Sequence, residues 1–373
     1  MEWLRLTSGI GNATAGAAVA TGPHGEIYVV GTVVDGPVED QKESMFAARF
    51  DAEGTMLWRR VVRTSSDDSG NGGAVDANGN LYIVGSKSPR SPARAGGILV
   101  ASFRPDGHRR WFKRLGSGRD REFGYAIDVR GGRVFVAGDI RDRHLHTTPP
   151  CVGFFGGFVA ALTTNGQSLW FTRVIRTQPG DAEIHAMAAG TEGGVVVGMR
   201  EASCDGEPRT VIVSVDANGV PRSRSEAPGL VTIASLTFAH QAFYLVGHLK
   251  DHLDGSSTAL VKMGEFGRIY WSRRLTSPRG TDGTGATGLG QGIVVVGSTG
   301  DPASDGKRAS VVTRLMASGL VTWRFELTGG DNSAAGVAVS GGALYVVGTT
   351  SGAIEGQVPE GPYALFLMKL RAK

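Results

Sequence analysis

The chain has 373 residues, a net charge of +4 at pH 7, 57 glycines and only 15 prolines. With 41% hydrophobic residues it is neither disordered nor collagen-like, and it fits many short strands joined by tight turns. No apolar run approaches the roughly 18 residues of a membrane-spanning helix, and the basic residues, mostly arginine, form no block of like charge, which argues against a nucleic-acid surface.

Glu2-Trp3-Leu4-Arg5-Leu6 already reads as a strand. An apolar run then closes on a Val-Gly or Ala-Gly step seven times, at Gly31, Gly85, Gly138, Gly198, Gly247, Gly297 and Gly348. A period near 50 residues over the whole length means one repeated supersecondary unit. The second repeat shows it plainly. Gly72–Asp76 is a strand of small residues, Ala77-Asn-Gly-Asn80 a turn, and Leu81–Val84 a second strand. Ile98–Phe103 is the third, Arg104-Pro-Asp-Gly107 a hairpin turn, and His108–Leu115 the fourth. Four short antiparallel strands, repeated, make a propeller blade.

The hairpin glycine recurs at Gly54, Gly107, Gly166, Gly219, Gly267 and Gly319. A tryptophan follows four residues later at Trp58, Trp111, Trp170, Trp271 and Trp323, while Ser223 stands in that slot in the fourth repeat. Small residues crowd the inner strands and tryptophan fills the widening outer gap. The seventh hairpin is missing: the chain ends in a third strand, Ala364–Leu370, and begins with a fourth carrying Trp3. The sequence therefore predicts an all-β, seven-bladed propeller of four-stranded antiparallel blades in one domain. Its blades span 13–63, 71–115, 123–176, 184–225, 232–275, 285–327 and 335–371, the last completed by 2–7.

The run Gly72 to Gly85, with a later apolar strand, Asp-x-x-Gly and Trp, resembles the bacterial seven-bladed β-propeller repeat often called the SBBP repeat. It is more distantly similar to quinoprotein-type propeller repeats. The resemblance covers essentially the whole chain and implies a bacterial protein, secreted or at the cell surface, with an interaction role and no shared catalytic set. The absence of a leader before the first strand leaves a cytoplasmic location as the alternative.

Acids recur where each innermost strand begins: Asp67 and Asp68, Asp120 and Glu122, Asp181 and Glu183, Glu226, Asp282, and Asp331, with Asn12 in blade one. Converging around a channel, Asp68, Asp120, Asp181, Asp282 and Asp331 form a collar suited to Ca²⁺ or a cationic ligand. The competing reading has each acid accepting backbone N–H bonds in its own turn. Cys151 and Cys204, the two cysteines, fall in loops of neighbouring blades and are either a disulfide across blades or two separate thiols. The blade-three insertion, 139–158, carries Arg141, Arg143, His144, His146, Phe154 and Phe155 and is the candidate partner loop. Its His-x-His and cysteine match no four-ligand zinc spacing.

The eight histidines do not recur at equivalent places; His185 sits in the small-residue strand of blade four, where it lines the channel or takes part in chemistry. No nucleophile elbow, phosphate loop or zinc helix is present. The expectation is a noncatalytic scaffold without a required cofactor, binding a protein or glycan partner through the loops of one face. The alternative is a channel-sited lyase or hydrolase using the acidic collar with a divalent cation.

Overall fold

The computed structural model describes residues 1–7, 12–36, 40–88, 96–117, 121–142, 154–174, 180–203, 208–227, 229–249, 257–265, 267–275, 280–300 and 307–371, with backbone alone at 141–142, 154–155, 180–181 and 203. They form seven four-stranded antiparallel sheets, each built from consecutive strands except the last. The first strands, Ala13–Thr21, Asp67–Val75, Arg121–Arg130, Gly180–Ala189, Leu230–Ala239, Asp282–Leu289 and Asn332–Ser340, pack against one another in an unbroken cycle and so surround the axis. The ring closes as the sequence predicts. Trp3–Thr7 pairs with Ala364–Arg371, Trp3 lying opposite Lys369, and this leaves no seam of unpaired backbone where the chain ends meet. Among the described residues no helix is long and apolar enough to cross a membrane.

Because a strand alternates its side chains between two faces, each blade presents one apolar row to the preceding blade and one to the next. Tyr28 and Val30 pack towards blade two while Ile27 and Val29 pack towards blade seven. The core is thus seven separate apolar clusters, one per junction.

The outer tryptophans do more than fill space. Each of five indole N–H groups donates to a carbonyl in the next blade's hairpin turn: Trp3 to Ala52, Trp58 to Pro105, Trp111 to Thr164, Trp170 to Ala217 and Trp271 to Ala317, at 2.8–3.1 Å. The hairpin glycine lies beneath the same ring. Gly107 has φ +82° and a Cβ there would fall 2.9 Å from the Trp58 ring, so conformation and space both require glycine. At the junction of blades four and five Ser223 replaces the tryptophan and bonds within its own blade to Ser214 at 2.5 Å.

Six signature glycines share one cause. A Cβ on Gly31 would fall 2.0 Å from the Ala15 carbonyl oxygen of the inner strand, and Gly85, Gly138, Gly247, Gly297 and Gly348 meet such an oxygen at 1.9–2.3 Å. Gly198 departs from the repeat. Met199, opposite Ile184, occupies the place that Gly31 takes opposite Gly16. Gly198 instead makes room for the Ile233 side chain of blade five. The fourth Val-Gly step is thus one residue out of structural register with the other six.

Candidate functional site

Every innermost strand contains an extra residue, a β-bulge, beside the signature position, and Leu230–Ala239 has a second at Val231. The extra residues are Ala17, Asn71, Tyr125, His185, Ala234, Thr284 and Ala335. A bulge breaks the alternation and re-aims its side chain, giving seven equivalent positions around the axis. Asn71 and Thr284 are committed to the next blade, donating to the Gly124 and Ala334 carbonyls, each at 2.7 Å. Tyr125 and His185 instead meet each other across the junction of blades three and four, ring centroids 4.8 Å apart and planes 29° from parallel.

Charged groups surround that pair. Glu183, two residues before His185 on the same strand, places Oε2 3.6 Å from His185 Nε2 and 3.5 Å from Arg200 Nη1. Buried Asp139 of blade three accepts the Ile184 N–H at 2.6 Å, which pins the backbone immediately before His185. Pairing with Glu183 raises the His185 pKa above the usual 6.5, Asp139 adds to the effect, and desolvation and Arg200 oppose it. Reciprocally, His185 holds Glu183 below its ordinary 4.5. Burial first, then the Asp139 and Glu183 charges, push the Tyr125 phenol well above 10.0. The cluster thus sets an imidazole that holds its proton more tightly than usual beside a carboxylate, a guanidinium and a phenol that resists ionisation. With 41% of the His185 side chain exposed, its ring is open to solvent. Such a group can donate a proton and take it back.

The predicted collar is distributed differently. Several of the acids lie inside longer inner strands, Asp67–Val75 in blade two rather than a strand from Gly72, because small residues mark only the crowded middle of each strand. Asp331 just precedes Asn332–Ser340, and Glu226 ends the outer strand Pro221–Glu226. Asp68 is fully buried and accepts the Thr64 N–H at 2.6 Å and its hydroxyl at 2.7 Å. Burial raises its carboxyl above the usual value despite those bonds. Glu122 caps the equivalent turn, accepting the Ser117 N–H at 2.5 Å and hydroxyl at 2.9 Å. Asp331 accepts the Arg308 N–H at 3.0 Å. Asp282 occupies the blade-six equivalent of Glu183 and pairs with His248, whose other nitrogen lies 2.7 Å from the Thr232 hydroxyl. That histidine lowers the Asp282 pKa.

Among the described residues no three His, Cys, Asp or Glu side chains gather as a metal site. Asp120, Arg143, His144, His146, Cys151 and Cys204 lie outside the described residues, as do the side chains of Asp181, Arg141, Phe154 and Phe155. The backbone of the last three extends strands Arg133–Asp142 and Phe154–Thr163, so the blade-three insertion between strands is 143–153 rather than 139–158.

Sequence reasoning singled out His185 and Glu183 but missed Tyr125, Asp139 and His248. A usable signal exists, since each bulge residue lies thirteen or fourteen positions before the Val-Gly glycine.

Fold and site together define a seven-bladed β-propeller with a titratable cluster on the inner strands of blades three and four. No family model matches the chain, so the SBBP-type label has no support from one, and no curated protein matches either. Solved structures share the fold. A catalytically inactive histidine-to-alanine variant of virginiamycin B lyase from Staphylococcus aureus, with quinupristin, superposes with TM-score 0.58 at 10% identity over 98% of this chain and 99% of that one. A protein of unknown function from Dyadobacter fermentans gives 0.57 at 12% identity over 99% of both chains. A serine-to-alanine mutant of puromycin hydrolase gives 0.56 at 14% identity over 98% of this chain and 54% of its own, so this chain spans about half of that enzyme. At such identities the likeness is one of fold.

Proposed function

We propose that the protein is a channel-sited enzyme of the lyase or hydrolase class, acting on a small molecule by proton transfer from and to His185. One observation carries this reading. At the bulge position, where three blades have alanine and two use a polar side chain to bond the next blade, blades three and four place a tyrosine against a histidine backed by Glu183. In this reading Glu183 orients and charges the imidazole, and the neutral Tyr125 phenol donates to substrate oxygen. Arg200 balances the carboxylate. A lyase and a hydrolase on the same fold are consistent with the proposal; at such low identity they supply no residue roles.

The test is a mass-resolved turnover screen of lactones, esters and amides, quinupristin among them, with wild-type protein and His185→Ala. Turnover abolished by the substitution supports the reading; turnover that survives it contradicts it. The second reading is a noncatalytic scaffold that binds a protein or glycan partner through the loop-bearing face. It is favoured by Asp68 and Glu122, which close turns instead of facing a ligand. Under it His185→Ala leaves partner binding intact and no substrate is turned over.

A further inference from the structure

Thr232, His248 and Asp282 form a second polar cluster, built across the junction of blades five and six. Thr232 lies on the inner strand of blade five, directly opposite His248 on the second strand, and its hydroxyl is 2.7 Å from His248 Nδ1. Register alone brings those two together. The third member comes from another blade: Asp282, on the inner strand of blade six, holds the other ring nitrogen, Nε2, through Oδ1. A hydroxyl, an imidazole and a carboxylate are thus joined in series. The backbone around the hydroxyl is also unlike its counterparts. Among the described residues Leu230–Ala239 is the one inner strand with two extra residues, Val231 and Ala234, and they bracket the paired stretch of Thr232 and Ile233. Bulges re-aim side chains and gather beside active sites. The second bulge serves no need of the repeat, since the other six inner strands do without it.

Charge fixes the direction of the proton. His248 and then Arg308 hold Asp282 below its usual carboxylate range, against desolvation. A carboxylate only accepts, so Nε2 carries a hydrogen. In the neutral ring Nδ1 is then a bare acceptor, and the Thr232 hydroxyl donates into it. Threonine is stiff about χ1, which keeps the hydroxyl aimed at the ring. A latch between blades would need only the imidazole and the carboxylate; the bulged strand and its bonded hydroxyl are what a latch leaves unexplained. A hydroxyl in reach of a base that a third group orients is the arrangement that activates a nucleophile. We propose that Thr232 is a nucleophile for acyl transfer from small esters, with His248 as its general base and Asp282 orienting the imidazole. Thr232 Oγ1 attacks the ester carbon as its proton passes to His248 Nδ1. The acyl C–O bond to the alcohol breaks, and the alcohol departs with that proton. Water then gives a proton to the same Nδ1 while its oxygen displaces Thr232, which takes that proton back as its hydroxyl hydrogen. Ester and water become acid and alcohol, with no other reactant. The His248 and Asp282 side chains are 28% and 43% exposed and Thr232 is half-buried, so the cluster is open to solvent. The proposal does not rest on the His185 reading, because neither His185 nor Glu183 takes part.

The probe is a fluorophosphonate, which phosphonylates activated hydroxyls with loss of fluoride, applied to the full chain and read by intact mass and peptide mapping. Wild type and His185→Ala should each take up a single phosphonyl group, at Thr232. His248→Gln and Asp282→Asn should each slow that labelling by about a hundredfold or more. Melting curves identify the folded variants, and Asp282→Asn carries the test if His248→Gln does not fold. Thr232→Val should also lose hydrolysis of p-nitrophenyl acetate, and screening His185→Ala in that background keeps the two sites apart. Absence of label at Thr232 in the wild type overturns the proposal. So does an unchanged labelling rate in whichever of the two variants is folded, or p-nitrophenyl acetate hydrolysis that Thr232→Val leaves as it was.

Discussion

Blades one and four offer the same three places around the axis and fill them in opposite ways. Blade one has Ala15, Ala17 and Thr32, where blade four has Glu183, His185 and Arg200. The bulge, the pairing and the closing of the ring are common to both, so the fold requires none of the charged groups. Burying part of a charged side chain costs free energy unless a partner compensates it. Blade four bears that cost, and Asp139 of the neighbouring blade anchors the strand that carries it. Framework and site are therefore separable, residue by residue.

That separation fails first, if it fails, in turnover. Removing a positioned acid–base group typically costs about a hundredfold to ten-thousandfold in rate, and His185→Ala should do so while the ring stays folded. Activity should also fall as pH rises through the elevated His185 pKa, because the proton to be donated is then lost. The framework should show the reverse. Trp58, nearly buried and latched to Pro105, should cost about 3–5 kcal/mol of stability as Trp58→Ala, with turnover per folded molecule unchanged. Gly107→Ala meets both the positive φ and the Trp58 ring and should cost about 1–3 kcal/mol. Denaturant titration reads both.

The smallest effect sharpens the comparison from the other side. Transplanting the histidine, as Ala17→His, and removing it, as His185→Ala, should each change stability by within about 1 kcal/mol, since partly exposed pairs are well screened. The residual pH dependence has a defined sign. His185, raised by folding, stabilises fully below its unfolded value near 6.5 and loses that contribution as pH rises through its higher folded value. Glu183, lowered by folding, contributes above its unfolded value of 4.5 and loses this as pH falls through its lower folded value. The pair is thus most stabilising between those two values, and the maximum should flatten in Glu183→Gln.

How much of this was legible depended on whether the cause lay within one blade. The blade count, the hairpins and the ring closure follow from glycines and tryptophans whose roles are local, and they stand as read. Gly198 misled because Val-Val-Val-Gly is the same string whether its glycine clears an inner-strand carbonyl or, as here, the Ile233 side chain of the next blade. Tyr125 went unnoticed because an aromatic in Phe123-Gly-Tyr125 looks like another half-buried strand position. Strand pairing shows it to be the extra residue. The two-part hydrogen bond of Asp68 likewise belongs to the connection between two blades, which spacing along one blade does not encode.

The central claim is that Glu183 holds the proton on His185 more tightly than an ordinary imidazole holds its own. An NMR titration of the His185 ring, in wild-type protein and in Glu183→Gln, tests it without any substrate. The midpoint should lie above 6.5 in the wild type and drop when the carboxylate becomes an amide. A wild-type midpoint at or below 6.5, unmoved by Glu183→Gln, would contradict the account.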